Sequence, residues 1–257
     1  MKTLHPKPQA QVAAYVERIL VLEHYDISMP FSLPLFANGS PTLLFTSTRS
    51  IIGKAPAAHL TLFGQTVLPE TMIMDEGFLL IAYFLKPYAL FSIFGVTALE
   101  LTDRPVELSL LTKRGTAELE DKLLNATSVE NSIALLNTYL TGLITDAKTD
   151  TRGITFAADV IARQPSPEIL LHVQNELNVT ERTFQRMFEK NIGLTPNLYR
   201  RIRQFNSAFQ QLNAGNYTKL SDIAFQNGYA DQSHYVRAFK EFTGITPKDY
   251  VNFASGG

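Results

Sequence analysis

The sequence predicts an α+β protein of two domains: an N-terminal mostly-β small barrel or sandwich with helices, and a C-terminal all-α double helix-turn-helix. Three observations lead to this prediction. Short apolar runs fill roughly the first 100 residues, helical periods follow, and the stretch Arg186–Tyr199 returns 51 residues later as Arg237–Tyr250. A chain of 257 residues is long enough to form two cores of ordinary size.

Five runs are predicted to be strands because they are short and either continuously apolar or alternating. They are Val16–Tyr25, Pro41–Thr48, His59–Gly64, Glu70–Asp75 and Gly77–Leu85. Turn-forming residues such as Asn, Gly, Asp and Pro separate the runs. Strands of this length and spacing are typical of a small barrel or a sandwich.

Three helices are predicted to follow the strands. The first is Pro87–Gly95, with the proline in its first turn and the glycine at its end. The next two lie in Gly115–Ala126 and Ser128–Ile144, where apolar residues recur at three- and four-residue steps. Ser128 is expected to cap the third helix, because a serine hydroxyl accepts a hydrogen bond from a free backbone N–H.

The stretch Thr145–Gly153 is polar and contains no large apolar residue. Such a segment is typical of a linker between domains. We therefore predict an N-terminal domain of residues 1–148 and a C-terminal domain of residues 152–257.

The first copy of the repeat is predicted to end a helix-turn-helix unit. A short helix, Glu168–Leu177, meets a turn in which Asn178 can adopt the left-handed conformation at little cost, and Thr180 then caps a second helix. The residues of that second helix expected to be buried, from their helical spacing, are Phe184, Met187 and Phe188. Those on its exposed side are Arg182, Gln185, Arg186 and Glu189.

The second copy repeats this plan. A helix, Leu220–Asn227, is followed by Gly228 at the turn and by Asp231 as the cap of the next helix. The residues expected to be buried are Tyr235 and Phe239, and those expected to be exposed are Gln232, Ser233, His234, Val236 and Arg237. Outward Arg and Gln on the second helix of such a unit are typical of a helix that enters the DNA major groove, here called a reader helix.

A helix predicted at Asn197–Asn213 joins the two units. At about 1.5 Å per residue it is roughly 25 Å long. A rigid connection of that length can place two reader helices about one DNA turn, ~34 Å, apart on one face of the duplex.

Residues from about Arg152 to Phe253 resemble the DNA-binding domain of the AraC-type (arabinose-operon regulator) transcription factors. The resemblance is carried by Val179–Ala208 and, above all, by Leu220–Tyr250, which is close to the long signature of that family. Gln174 departs from the family pattern, since it stands where a small alanine usually lies at the contact between the first two helices. Ala224 keeps that alanine in the second unit.

The N-terminal part resembles, more weakly, a sensor-like domain that precedes this DNA-binding unit in some members of the family. The segments that carry this resemblance are Pro34–Phe45 and Phe84–Leu108. Such domains bind a small effector or mediate dimers, so the resemblance implies one of these roles here.

The residues predicted to contact DNA, through bases, sugar or phosphate, are Arg182, Gln185, Arg186, Gln232, Ser233, His234 and Arg237. The predicted contacts to phosphates are Thr180, Lys190, Arg201 and Arg203. The arginine side chain can bind O6 and N7 of guanine together, whereas phosphate contacts govern salt sensitivity. Between Arg182 and Arg203 six basic residues face one acid, a net charge of +5, which is typical of a polyanion-binding face or of a solvated helix surface.

Other functional classes lack support in the sequence. There is no cysteine, and His5, His24 and His59 do not form a His-x-His or His-x-x-x-His pair. We also find no nucleophile elbow and no phosphate-binding glycine loop. We therefore predict no catalytic residue, no metal, no cofactor and no enzymatic activity.

The sequence also predicts a cytoplasmic protein without a membrane segment. The N-terminus lacks the features of a signal peptide, and the longest apolar run, Phe78–Leu85, is far shorter than the roughly 20 residues of a spanning helix.

The predicted partner is double-stranded promoter or operator DNA, and the predicted function is sequence-specific transcription regulation. An unidentified small effector, RNA polymerase and a second copy of the chain are further candidate partners. The alternative is an N-terminal enzyme or small-molecule carrier that uses the helical part as a DNA tether.

Overall fold

The computed structural model describes residues 1–26, 28–112, 115–145 and 151–255. These residues form ten strands: β1 Lys2–Leu4, β2 Val16–His24, β3 Phe31–Leu35, β4 Thr42–Thr46, β5 Ser50–Ile52, β6 Ala55–Ala57, β7 Leu60–Phe63, β8 Glu70–Met74, β9 Phe78–Leu85 and β10 Val106–Glu107. Their helices are α1 Ala89–Phe94, α2 Leu108–Leu111, α3 Thr116–Leu124, α4 Val129–Thr145, α5 Arg152–Arg163, α6 Glu168–Glu176, α7 Glu181–Asn191, α8 Pro196–Asn213, α9 Leu220–Gln226, α10 Gln232–Thr243 and α11 Pro247–Ser255. A 3₁₀ turn, Ala98–Leu101, lies between α1 and α2.

The strands form two antiparallel sheets. One has six strands in the order β1-β2-β9-β4-β7-β10, and the other has four in the order β3-β8-β5-β6. The sheets pack face to face and do not close into a barrel. The N-terminal domain is therefore a sandwich, which confirms that alternative of the sequence prediction.

Strand β9 explains why the six-stranded sheet is buried on both faces. It lies between β2 and β4, and its side chains alternate. Leu80 and Ala82 face the four-stranded sheet, whereas Ile81 and Tyr83 face α1, α3 and α4. A strand covered on both faces reads as a continuous apolar run, as Phe78–Leu85 does.

All five predicted strands are present, as β2, β4, β7, β8 and β9. The sequence prediction missed β1, β3, β5, β6 and β10. Four of these have only two or three residues, too few to show a period. Strand β3 contains Pro34, which lacks an N–H, and it lies at the edge of its sheet, where a proline is tolerated.

Helix α1 begins later than predicted. Its first residue is Ala89 and its N-cap is Tyr88, so Pro87 precedes the helix instead of lying in its first turn. Gly95 ends it as predicted, with φ 68° and its N–H donating to the Phe91 carbonyl at 3.1 Å.

The other predicted features of this region agree with the structure where it is described. Ser128 caps α4, because its hydroxyl accepts a hydrogen bond from the Asn131 N–H at 3.2 Å. Helix α4 ends at Thr145 and α5 begins at Arg152, and the domain boundary placed between them stays a prediction. Residues 146–150 of that boundary lie outside the described residues.

The helical domain is built around α8. Tyr199, Ile202 and Phe205 of this helix are buried in a core to which α5, α6, α7, α9 and α10 also contribute. The helix begins at Pro196, one residue before the predicted start, because the Thr195 hydroxyl caps it by accepting the Leu198 N–H at 3.3 Å. Across the described ranges, no helix is both long and apolar enough to span a membrane.

Candidate DNA-binding interface

The first helix-turn-helix unit consists of α6 and α7. The turn between them contains Asn178 in the left-handed conformation, with φ 51°, as the sequence predicts. The Thr180 hydroxyl caps α7 by accepting the Thr183 N–H at 3.3 Å. The cap satisfies one of the free N–H groups at the start of α7 and defines where this reader helix begins.

The second unit, α9 and α10, repeats this geometry with a longer turn. Gly228 occupies the left-handed position, with φ 73°, and the Asp231 carboxylate caps α10 by accepting the His234 N–H at 2.7 Å. The N–H of Tyr229 donates to the carbonyl of Ala224 at 2.9 Å. Counted from the left-handed residue, the cap comes one residue later than in the first unit.

The buried sides of the two reader helices agree with the prediction. Phe184 and Phe188 of α7 are buried, and so are Tyr235 and Phe239 of α10. Met187 is partly buried against the same core. These aromatic side chains are therefore core residues, and the opposite faces of both helices remain exposed.

Helix α8 supports both reader helices at different points along its length. The ring of Tyr199 lies 5.8 Å from that of Phe188 in α7, and the ring of Phe205 lies 5.7 Å from that of Phe239 in α10. Tyr199 and Phe205 are six residues apart, about 9 Å along the helix. The connecting helix thus links the two units directly through its buried face.

The seven residues predicted to contact DNA are all exposed: Arg182, Gln185, Arg186, Gln232, Ser233, His234 and Arg237. Among the described residues, no carboxylate lies within ion-pair distance of Arg182, Arg186 or Arg237. Gln185 has a local partner, since its side-chain N–H donates to the Glu181 carboxylate at 3.2 Å. Three arginines on the exposed faces of the reader helices therefore lack an ion-pair partner in the described part of the protein.

Two of the predicted phosphate contacts, Arg201 and Arg203, have acidic partners. Arg201 forms an ion pair with Glu241 of α10. Arg203 is partly buried at the surface between the two domains, with its guanidinium 3.8 Å from the carboxylate of Glu17 in β2. Their contact with phosphate stays a prediction, and the position of Arg203 indicates a role in joining the domains.

Arg200, one of the six basic residues counted between Arg182 and Arg203, is buried and holds the two units together. Its guanidinium donates to the Pro165 carbonyl at 3.0 Å and to the Gln204 side-chain oxygen at 3.1 Å. Gln204 in turn donates to the Asn227 carbonyl at 2.9 Å. Burial lowers the pKa of Arg200 from its ordinary value, because a less polar environment disfavours the charged form.

The departure at Gln174 is visible in the packing of the first unit. Gln174 is partly buried, whereas Ala224 at the equivalent place in the second unit is fully buried. The backbone of the turn is nevertheless alike, because the Val179 N–H donates to the Gln174 carbonyl at 3.3 Å as Tyr229 does to Ala224. The larger side chain is accommodated without changing this hydrogen bond.

The N-terminal domain contacts the C-terminal end of α7. The Thr102 hydroxyl donates to the Gly193 carbonyl at 2.7 Å. The ammonium of Lys190, another predicted phosphate contact, lies 4.2 Å from the centre of the Phe91 ring. Gly193 has φ 89°, a conformation that favours glycine, and a Cβ there would lie 2.7 Å from the Ala98 carbonyl. Only glycine therefore fits where the end of α7 lies against the N-terminal domain. The first reader helix is therefore attached to the N-terminal domain.

Sequence reasoning missed these contacts between the domains. Phe91 and Thr102 carry no periodic signal that points to a helix about 90 residues away. The role of Gly193 as a close-contact residue is visible only in three dimensions. Within the described part of the chain, no group of three or more His, Asp or Glu side chains is arranged to hold a metal ion.

Comparison with protein families divides the chain into two parts. Residues 174–252 match a family described as a helix-turn-helix domain, and residues 4–107 match a domain of unknown function (DUF6597). A comparison with curated proteins found no match. The first match spans both reader helices, so this part of the chain is a helix-turn-helix domain of the AraC type.

Among the solved structures that the whole chain resembles are those of ToxT from Vibrio cholerae. ToxT of strain O395 superposes with a TM-score of 0.53 at 12% identity, covering 93% of this chain and 99% of that one. A wild-type ToxT from strain SCE256, bound to an unsaturated fatty acid, gives a TM-score of 0.51 at 11% identity and covers 91% and 93%. ToxT of strain O395 bound to (E)-4-(8-methylnaphthalen-1-yl)but-3-enoic acid gives 0.51 at 14% identity and covers 91% and 98%. At this identity the likeness shows a shared two-domain fold.

Proposed function

We propose that the chain reads a specific DNA site with α7 and α10 in two neighbouring segments of the major groove. The observation that carries the proposal is the equivalent position of Arg186 and Arg237, 51 residues apart and both exposed. Neither arginine has an ion-pair partner among the described residues, so each is available for a base or a phosphate. Arginine is the side chain that most often recognises guanine in the major groove.

The test is a selection of bound sequences from a random DNA pool, followed by footprinting of the full chain on the selected fragment. We expect one chain to protect two major-groove segments about one helical turn apart. Protection of one segment, or no retardation of the fragment at low salt, would contradict the proposal.

Replacement of the equivalent arginines separates base contacts from phosphate contacts. Arg186→Ala and Arg237→Ala are each expected to cost about 1–3 kcal/mol of binding free energy on the selected fragment. Electrophoretic mobility shifts on selected and random DNA measure this cost. Arg49→Ala, an exposed arginine of the N-terminal domain, is the control and should leave the affinity unchanged. An equal loss on both DNAs assigns the arginine to phosphate and overturns its role in base recognition.

The N-terminal domain controls DNA binding in this proposal, through a small effector or through pairing with a second copy of the chain. Its contacts with α7, from Thr102 to Gly193 and from Phe91 to Lys190, are the physical support. A shift of the N-terminal domain would act directly on the first reader helix. The effector-bound structures of ToxT make a small acid a natural first candidate here.

The remaining parts of the proposal concern where and with what the chain works. It acts in the cytoplasm on promoter DNA, it has no enzymatic activity of its own, and RNA polymerase is its partner when it activates transcription. Transcription from the selected fragment with purified polymerase tests the last point, and cross-linking of the chain in solution tests the homodimer.

A further inference from the structure

An open groove of about 600 Å³ separates the first reader helix from the N-terminal domain. One wall is the side of α7 that carries Arg182, Arg186 and Lys190. The other wall consists of Leu99 in the 3₁₀ turn and Thr97 just before it. The groove therefore lies between a helix that is expected to enter the DNA and a turn that belongs to the other domain.

The charge of this groove favours a polyanion. Arg182, Arg186 and Lys190 follow one another at four-residue steps, so they form a stripe about 12 Å long on one side of α7. No carboxylate among the described residues lies within ion-pair distance of any of the three. The described lining contains these three cations and one acid, Glu189, which gives a net charge of +2. One strand of DNA carries a negative charge about every 3.4 Å along the helix axis, so the stripe can face several phosphates.

Contacts with the end of α7 hold the 3₁₀ turn in place beside this stripe. The hydroxyl of Thr102, the residue after the turn, donates to the Gly193 carbonyl at 2.7 Å. Ala98 and Leu101 of the turn are buried, whereas Leu99 is 50% exposed and lines the groove. The fold therefore sets the position of Leu99 and leaves its side chain open to a partner that enters the groove.

We propose that this groove receives the sugar-phosphate backbone of the DNA strand that borders the first reader helix, so that the N-terminal domain itself contacts the operator. The inference rests on the proposed function, because it extends the DNA interface of α7 to the second domain. Lys190 binds a phosphate from the side of α7. The Thr97 hydroxyl does not cap the 3₁₀ turn, so it can donate to a phosphate oxygen from the opposite wall. Leu99 packs against the deoxyribose between them.

A backbone contact has a different signature from a base contact. It adds affinity for any duplex and carries no sequence information directly. Substitutions at Leu99 are therefore expected to act equally on selected and random DNA. Arg186→Ala, by contrast, is expected to act on the selected fragment above all.

Charge substitutions at Leu99 test the contact, because they change the potential in the groove with opposite signs. A unit charge about 4 Å from a phosphate changes the affinity about fivefold even at the dielectric constant of water. Leu99→Lys is expected to raise the affinity for both DNAs by about this factor at low salt. It should also steepen the dependence of the logarithm of the binding constant on the logarithm of the salt concentration by about 1. Leu99→Glu is expected to lower both affinities by a similar factor.

Leu110→Lys and Leu110→Glu are the matched controls. Leu110 is 76% exposed in α2 of the same domain and does not line the groove. These variants carry the same changes of net charge and should have clearly smaller effects. Circular dichroism and the urea midpoint show that each variant is folded. Equal effects at the two positions would reveal an influence of net charge alone and would overturn the inference.

The absence of cysteine from the chain permits a direct measurement of proximity. Leu99→Cys, labelled with iron-EDTA, produces hydroxyl radicals at the groove. We expect these radicals to cleave the selected fragment at the edge of the segment whose protection depends on Arg186. The same label on Leu110→Cys should give no cleavage at that edge.

The outcomes separate this inference from the proposed function. If the labelled Leu99→Cys chain still retards the fragment but does not cleave it at that edge, the inference is overturned and the proposed function stands. Stronger binding by Leu99→Ala would show that the turn blocks the groove, which also overturns the inference. If the wild-type chain retards no fragment, the proposed function itself fails.

Discussion

At the scale of single residues, two buried tyrosines stand out in the second helix-turn-helix unit. The hydroxyls of Tyr229 and Tyr235 are buried and have no hydrogen-bond partner among the described residues. Burial raises the pKa of both above the ordinary value, because it disfavours the charged phenolate. Burying a hydroxyl without a partner costs free energy, and the packing of the Tyr235 ring on Phe239 offsets this cost.

The raised pKa predicts a loss of stability in alkaline solution. A group with a higher pKa in the folded state contributes its full stability below the unfolded value, about 10 for tyrosine, and loses it as the pH rises further. The free energy of unfolding in urea is therefore expected to fall above about pH 10. Tyr235→Phe should reduce this loss and cost little near neutral pH, because the hydroxyl it removes is unpaired. Tyr25→Phe, at a tyrosine that is 65% exposed, is the control, and an unchanged loss in Tyr235→Phe would refute the assignment.

A second residue-scale prediction concerns Gly193. Gly193→Ala and Gly215→Ala both place a side chain at positive φ, 89° and 67°, which costs about 1–2 kcal/mol in each case. Only the first also brings a Cβ to 2.7 Å from the Ala98 carbonyl. We therefore expect Gly193→Ala to lower the free energy of unfolding clearly more than Gly215→Ala does. Equal losses in urea denaturation would show that the domains separate easily at this contact.

At the scale of elements, the two reader helices are held by their caps and by α8. A series of hydrogen bonds runs from Pro165 through Arg200 and Gln204 to Asn227. It joins the start of the first unit to the end of α9. Buried hydrogen-bond networks of this kind restrict the relative position of the elements they join. We infer that this hydrogen-bond network maintains the separation of the two reader helices.

The cap of α10 offers a direct test of how much its first turn matters. Asp231→Ala removes the acceptor for the His234 N–H and is expected to cost about 1 kcal/mol of stability. It should also weaken DNA binding, because His234 and its neighbours Gln232 and Ser233 lie in that turn. Asp231→Asn keeps a good cap and should retain both properties. Normal DNA affinity in a destabilised Asp231→Ala would show that the first turn does not contact bases.

The helix-turn-helix units were predictable from the sequence because their signals are local. Asn178, Thr180, Gly228 and Asp231 each act within a few residues of themselves, and the structure confirms all four roles. The spacing of the apolar residues in α7 and α10 then predicts which side of each helix is buried. The base contacts assigned to the exposed faces of these helices stay predictions.

Other features were not predictable because they depend on distant parts of the chain. Phe36 reads as one more aromatic residue near a turn, and nothing near it indicates its ring contacts with Phe209 and Tyr250. Arg200 and Arg203 look like surface charges in a basic segment, yet one is buried and the other lies between the domains.

At the scale of the whole molecule, the two domains share a hydrophobic core. Ala37 and Tyr88 of the N-terminal domain are buried in the same cluster as the helical domain, and Tyr15 and Val67 pack against it. An interface of this apolar kind resists separation more than a polar one. We infer that the domains move together unless a ligand alters this contact.

This shared core predicts that the chain unfolds in one cooperative transition. Phe209→Ala, at the ring between Phe36 and Phe239, should lower the unfolding midpoint of β9 and α10 together. Hydrogen exchange of the two elements at increasing urea concentration measures this. Two well-separated transitions in the wild-type chain would contradict it.

The turn of the second unit is longer than that of the first, so the two helix-turn-helix units differ in structure. The exposed faces of their reader helices also differ in composition. One carries Arg182, Gln185 and Arg186, and the other carries Gln232, Ser233, His234 and Arg237. A protein that reads DNA with two unlike halves has a polarity along the duplex. We therefore expect an asymmetric target sequence. Inverting that sequence at a promoter would turn the bound protein end for end, so that the N-terminal domain faces the opposite direction of transcription.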